Sequence, residues 1–368
     1  MQVVKQNEDI SALRGIAILL VVSYHVGSVS FIPDWLKTIL VNFNGGCGVD
    51  LFFVISGFLV SESLSRSFAN RKISARRSLS VFFARRWFRT VIPGVVWVIA
   101  WTALSFMIPL LGNPYDNLHH AIAAILQVAH LYLYFHCVKV GECGIFGYYW
   151  TLSLEEWFYA LLPLLVIVAK IRVAVAAIVF FIVLLFIVGF NEWPLWGVFR
   201  IQPMLIGVLI FFYKDSVTSF AYKTLAGRSG LALSVAVVAA LTYVNSHYSV
   251  KGYIFVVVMC AALFLMALPG QGMLVGNGLI RDRLSAAGKV SFSTYLVHMP
   301  LILIADHFYS RNIEWVSPII PAVFLAISLW FLSVRSFIHL EEPCRDLGYR
   351  VSDKISTSGM AVGAQEKA

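Results

Sequence analysis

Charge is scarce in this sequence. Only 13% of its 368 residues are Asp, Glu, Lys or Arg, against roughly a quarter in a soluble globular chain. With 60% hydrophobic residues, little is left over for a soluble domain, and a single polytopic membrane bundle is expected. Cysteine is equally sparse. Cys47, Cys137, Cys143, Cys260 and Cys344 form no CxxC pair and show no His/Cys spacing suited to zinc, so no metal site is expected. The apolar run from Ile10 to Val29 contains Arg14 and lacks a small-x-small cleavage site, which makes it a retained first span. No internal repeat and no linker rich in Pro, Gly or Ser interrupts residues 1–345, read as one integral-membrane domain. Residues 346–368 read as a cytoplasmic tail whose small, polar end predicts disorder.

What is present is a series of apolar runs. At about 20 residues per crossing, they place ten transmembrane helices near 10–30, 47–64, 91–111, 149–169, 173–190, 195–213, 230–246, 252–269, 290–309 and 317–339. The expected fold is therefore an all-α polytopic bundle. The stretch 119–136, HHAIAAILQVAHLYLYFH, carries His at both ends with Gln127 and His130 inside, and either spans or dips in and returns. The positive-inside rule arbitrates. With a re-entrant or interfacial 119–136 and both termini cytoplasmic, 23 Lys and Arg fall inside and 5 outside; a full crossing gives 14 on each side. The net charge of +9 then belongs to cytoplasmic loops and not to nucleic-acid binding.

Ionisable residues inside spans are costly and are functional candidates by default. Arg14 and His25 lie eleven residues apart in the first span, about three turns and about 16 Å along one helix face. A desolvated imidazole is pushed toward its neutral form, as a general base or acyl acceptor requires. Asp50 opens the second span in GGCGVDLFFVISGFL, near the depth of His25, where it either orients that ring, binds an acceptor or caps the helix. Glycines 45, 46, 48 and 57 allow close helix approach. From Ser63 to Thr90 there are eight Lys/Arg and no acidic residue. Anionic lipid is one partner for such a loop; a phosphate-bearing donor held by Arg86 and Arg89 on one helix face is the sharper one. In YYWTLSLEEWFYALLPLL, at most one of Glu155 and Glu156 faces the interior squarely, leaving the other for the headgroup region. Arg200 requires a carboxylate partner, either Glu155 or Asp50. Ser291, Tyr295 and His298 share one face of the ninth span, and Glu341 is spaced either to pair with Arg345 on the cytoplasmic surface or to brace the basic loop. The remaining histidines read as structural or interfacial.

Taken in order, ISALRGIAILLVVSYH, GVDLFFVISGFL, RRWFRTVIP, WTLSLEEWFY, FRIQPMLIG, VSFSTYLVHMPL and LEEPCR resemble the signature blocks of the acyltransferase 3 family, from about Ile10 to Arg345. The resemblance implies a ten-helix bacterial inner-membrane enzyme, an acyltransferase for groups other than aminoacyl. Such an enzyme moves an acyl group, most often acetyl, from cytoplasmic acyl-CoA to a hydroxyl of a cell-surface or exported sugar, such as O-antigen or exopolysaccharide. Acyl-CoA is then a donor substrate, and no permanently bound cofactor is implied. Carried over, the family blocks give Arg14 and His25, Arg86 and Arg89, Glu155, and Ser291, Tyr295 and His298. With Asp50 and Arg200 added from the reading of the residues, the expected catalytic set is His25, Arg14, Glu155 and Asp50; Arg14, Arg86 and Arg89 hold the donor; Arg200, Ser291, Tyr295 and His298 serve the acceptor. The last block reads Glu-Glu-Pro-Cys where the family commonly has Glu-Lys-Pro-Phe, which leaves Glu342 without an assigned role. About twenty residues follow the bundle where many members append an SGNH-hydrolase-like domain, so transfer is completed by the bundle, a homo-oligomer or a partner protein.

On this reading, donor phosphates dock at Arg86, Arg89 and Arg14, and His25 either deprotonates the acceptor or carries the acyl group. The rival from another class is a transporter or flippase with an ionisable pathway, against which the missing internal symmetry counts. Cys47, Cys137 and Cys143 fall on the outer side, where oxidation allows either a Cys137–Cys143 disulfide or one from Cys47 to the loop.

Overall fold

The computed structural model describes residues 7–69, 73–139, 141, 143–168, 171–189, 199–225, 230–247, 252–311 and 316–365. All regular structure among them is helical. The first half comprises α1 (Glu8–Val26), α2 (Asp34–Asn42), α3 (Gly48–Phe68), α4 (Ala75–Arg89), α5 (Val91–Ser105), α6 (Pro114–Ile125), α7 (Ala129–Tyr132), α8 (Trp150–Val168) and α9 (Ile171–Gly189). The second comprises α10 (Gln202–Phe212), α11 (Lys214–Leu225), α12 (Gly230–His247), α13 (Tyr253–Ala267), α14 (Leu279–Lys289), α15 (Ser291–Arg311), α16 (Ile319–Ser336) and α17 (Glu342–Gln365). Local chemistry sets several starts. The Asn7 side chain accepts from the backbone N–H of Asp9 and Ile10 at 3.0 and 3.2 Å, and Asn113 caps α6 ahead of Pro114.

Each predicted span meets a helix, but ten crossings are not reached by length and apolar composition. Among the described residues five helices suffice (Glu8–Val26, Gly45–Phe68, Ala75–Ser105, Gly230–His247 and Ile319–Thr357), and seven if each of two bent pairs is one span. The shortfall lies with short and broken helices: the apolar stretches Arg172–Ile187 and Tyr253–Ala267 fall short of a crossing, and α10 stops after 11 residues and bends by 90° into α11, whose Lys214 and Asp215 end the apolar run. Residues 195–198 of the sixth predicted span lie outside the described residues. The segment 119–136 is not one helix. α6 ends at Ile125, Gln127 takes a φ of 57°, and α7 and a π-turn (Leu133–Val138) follow. The break docks on α8, where Trp157 Nε1 donates to the Gln127 carbonyl at 2.9 Å and the Ala129 N–H donates to Ser153 Oγ at 3.2 Å.

Two extended helices reach past an apolar slab. α4 and α5 form one 31-residue unit, Ala75–Ser105, about 46 Å long against the ~30 Å of a hydrocarbon core. α16 runs through a π-turn (Phe337–Glu341) into α17, so that Ile319–Thr357 form a 39-residue unit. The projecting ends pack together. Arg85 Nε donates to Ser352 Oγ at 2.9 Å, its guanidinium stands 3.8 Å from Asp353, and it lies 5.5 Å from the Tyr349 ring centroid. Where the sequence predicts disorder from 346 onward, the structure describes helix to Gln365, with Tyr349, Ser352 and Asp353 held by Arg85. A helix continuous with an existing span bears no new nucleation cost, and α4 supplies partners that composition does not reveal.

The bundle centre is tight because glycines face backbone. Gly57 of α3 opposes the Met204 carbonyl of α10, and Gly15 of α1 opposes the Leu284 carbonyl of α14. A Cβ at either position would collide with that carbonyl, whereas Gly46 meets nothing of another helix closer than 3.7 Å. Replacing Gly57 by Leu should force α3 and α10 apart, at a cost of about 1–3 kcal/mol or more. The expected result is a thermal midpoint in detergent lower by several degrees; an unchanged midpoint contradicts the packing.

Candidate functional site

The predicted residues gather around two chambers that share a wall. The inner chamber, about 100 Å³, is lined by Arg14, Ser56, Arg86, Arg89, Glu155, Tyr159, Ser291 and Tyr295. The outer chamber, about 800 Å³, is lined by Tyr24, His25, Tyr148, Trp150, Arg200 and Tyr295 among others. Tyr295 and Val49 line both. α1 therefore places Arg14 at one chamber and His25 at the other, as their three-turn separation requires.

In and around the inner chamber the carboxylates of Glu155, Glu156 and Glu341 are each hydrogen-bonded. Glu155 accepts from Ser56 Oγ at 3.1 Å and from the Tyr159 hydroxyl. Arg86, largely buried, lies with its guanidinium 4.8 Å from the Tyr159 ring centroid. Arg14 donates to Ser291 Oγ at 2.9 Å, with Arg89 and Arg86 as repelling neighbours and Glu341 and Glu155 as attracting ones. Glu341 is 3% exposed and accepts from Ser293 at 2.9 Å. The expected surface pair with Arg345 is thus corrected: Arg345 binds Glu342 at 3.1 Å, because the π-turn rotates Glu341 inward. Glu156 is corrected as well. It accepts from Thr90 at the α4–α5 junction at 2.8 Å and does not seek a headgroup.

In the outer chamber Arg200 pairs with Asp50 at 3.6 Å and stacks 5.0 Å from the Trp150 ring centroid. Asp50 is fully buried and accepts from the Tyr253 hydroxyl at 2.8 Å, so it braces Arg200 and does not orient His25. The helical phase explains this: Val49 faces the chambers, and the next residue points about 100° away. The neighbour of His25 is His298, with ring centroids 5.2 Å apart. Tyr295 bridges the helices, its hydroxyl 2.7 Å from Thr151 Oγ1 and donating to the Tyr148 carbonyl at 2.7 Å.

Sequence reasoning missed Tyr159, Thr151, Tyr148 and Tyr253. The i,i+4 spacing of Tyr159 from Glu155 was a usable signal; the distant contacts of Tyr148 and Tyr253 left none.

A disulfide joins Cys137 to Cys143, while Cys47 and Cys260 are buried and free. His120 lies beside it, with Nδ1 3.7 Å from Cys143 Sγ and 3.2 Å from the Gly144 carbonyl. Ligand atoms of His120, Cys137 and Cys143 fall within 4.8 Å of one another, but both sulfurs are committed to the disulfide. Cys143, Gly144 and Ile145 form part of the outer chamber wall.

The fold and site define a multi-helix membrane protein that brings an arginine-lined chamber and a histidine-bearing chamber to a common wall. A family model described as an acyltransferase domain matches residues 7–335, and the chain belongs to that family, acyltransferase 3. The chain is similar to O-acetyltransferase OatA of Staphylococcus aureus, as found in strains NCTC 8325 and COL, at 25% identity over 374 residues. That alignment covers 93% of this chain and 57% of the relative, so the chain spans a little over half the length of the proteins it matches. No solved structure matches the chain significantly.

Two measurements check the site. Denatured without reductant, the protein should show three free thiols, rising to five after reduction; five before reduction contradicts the disulfide. Burial pushes His120 from the usual 6.5 down to about 4. The unfolded chain takes up the proton first, so the stability from its neutral burial is full above about 6.5 and is lost as pH falls toward about 4. The thermal midpoint of the wild type should fall across that window more steeply than that of His120→Leu; parallel slopes contradict this.

Proposed function

We propose that this protein is a membrane O-acyltransferase that moves an acyl group, in the first instance acetyl, from acyl-CoA to a hydroxyl of a cell-surface or exported glycan. The observation that carries the reading is the wall shared by the two chambers at Tyr295 and Val49, with arginines on one side and His25 on the other. Arg14, Arg86 and Arg89 suit the phosphates of a CoA ester. Their chamber adjoins the projecting α4, whose basic composition supports a cytoplasmic position for that end and, by the positive-inside count, for both termini. The larger chamber has the size of a small-molecule site, and Trp150 with its stacked Arg200 offers a sugar both an apolar face and donors. The activity named for OatA, O-acetyl transfer, is consistent with this chemistry.

In the reaction the acceptor oxygen forms a bond to the acyl carbon as the carbon–sulfur bond breaks. His25 takes the hydroxyl proton and returns it to the CoA thiolate. Glu155, locked by Ser56 and Tyr159, fixes the inner chamber and balances Arg14.

The test is alkali-labile O-acetyl on envelope and secreted glycans of a deletion strain. Wild type should restore the ester, and His25→Ala should restore less than about 1% of it, as expected for loss of a general base. Arg89→Ala should raise the KM for acetyl-CoA in membranes about tenfold while leaving kcat within a factor of about two. No ester on any glycan, with acetyl-CoA untouched by membranes, would overturn the transferase reading.

A further inference from the structure

The fully buried histidine beside the site is not the one that faces the outer chamber. His298 is fully buried in α15, and its Nδ1 stands 2.7 Å from the Tyr295 carbonyl. A carbonyl only accepts, so Nδ1 carries the proton and Nε2 of a neutral His298 presents a lone pair. That Nε2 is buried and has no hydrogen-bond partner among the described residues, a costly condition that a native structure normally resolves. Two rings from other segments pack against the His298 ring, Tyr148 at 5.0 Å and His25 at 5.2 Å between centroids, the latter tilted by 48°. The Tyr148 hydroxyl is committed to the Leu296 carbonyl at 2.9 Å, which leaves His25 as the ring able to donate. At that separation the two imidazoles are in contact without a hydrogen bond between them, and one forms only when the His25 ring turns a nitrogen toward His298 Nε2. The His25 ring makes contact with Tyr24 and His298 and has no hydrogen bond among the described residues. Asp50, the acidic residue expected to orient it, is committed to Arg200 and Tyr253.

We infer that His298 is the positioning residue for His25: its Nε2 accepts the N–H of the His25 ring, fixing the tautomer whose other nitrogen faces the outer chamber with its lone pair free. The arrangement does the work of the carboxylate in a serine-hydrolase triad with a neutral, backbone-anchored imidazole. It rests on the transferase reading above. When His25 takes the proton of the acceptor hydroxyl, the imidazolium that forms keeps its hydrogen bond to His298, and the proton then passes to the CoA thiolate as the ester leaves. The anchor is itself braced. Tyr295, whose carbonyl holds His298, has its hydroxyl on the Tyr148 carbonyl, and the Tyr148 ring packs 5.0 Å from His298. The next residue but one, Pro300, lies inside α15 and leaves the Leu296 carbonyl without its helical donor; the Tyr148 hydroxyl donates there at 2.9 Å, which ties Tyr148 to the same turn.

The test uses purified full-length protein in detergent, with acetyl-CoA as donor and the glycan fraction of the deletion strain as acceptor. His298→Leu should lower kcat by about 100-fold, at the low end of general-base effects, with the KM for acetyl-CoA within about twofold. His298→Gln, which supplies a carbonyl oxygen to accept from His25, should recover at least tenfold of that loss. A merely structural role would move both variants together and would change KM. The wild type provides a reading free of folding artefacts: in its ¹⁵N spectrum, assigned by difference with His298→Gln, His298 should be the Nδ1–H tautomer. The Nε2–H tautomer, or a folded His298→Leu with wild-type kcat, overturns the inference while leaving the transferase reading in place. A wild type that transfers no acetyl overturns the transferase reading, and this inference with it.

Discussion

A carboxylate within an apolar bundle must be hydrogen-bonded or paired, because the free energy of leaving it bare exceeds what a single helix contact returns. Around Glu155 this constraint shapes the protein. Ser56 comes from α3, Tyr159 from the next turn of α8, and Arg86 lies on the Tyr159 ring. Satisfying one acidic group thereby pins α3, α4 and α8 to a common point. Glu341 repeats the device from the other side, drawing α17 and the π-turn toward Ser293 of α15. The inner chamber is what remains between these two anchored carboxylates and the three arginines.

The outer chamber follows a different rule. Its charged pair, Asp50 and Arg200, is a closed unit with Tyr253 and Trp150 around it. Removing either charge from such a buried pair typically costs about 3–5 kcal/mol, so the pair serves the wall and His25 stands apart from it. The helices that form this wall are held close by small residues: α1 meets α14 at Gly15, and α3 meets α10 at Gly57. Rigid backbone contact of this kind keeps Arg14 and His25 at fixed depth on one helix, which a reaction divided between two chambers requires.

Much was legible in the sequence because membrane proteins write their architecture in composition. The apolar runs, the basic stretch before α5 and the Arg14–His25 spacing depend only on local periodicity and charge, which survive any tertiary arrangement. The broken 119–136 segment was legible for the same reason, since polar residues punctuate it. The C-terminal helix was not. Residues 346–357 are largely polar, and the partners that hold Tyr349, Ser352 and Asp353 come from Arg85 on another helix. The roles of Glu156 and Glu341 were equally hidden, since a π-turn and a helix junction rotate them toward partners far away in sequence.

By itself, the sequence determined that this chain is an all-helical membrane protein with a buried arginine, a buried imidazole and a basic flank, because desolvation cost and helical pitch act residue by residue. Which groups meet was decided by tertiary structure alone. Asp50 turned to Arg200, His25 met His298, and Tyr295 came to stand between two chambers. Partner choice depends on the phase and crossing of whole helices, set by glycine contacts between segments that the linear order keeps far apart.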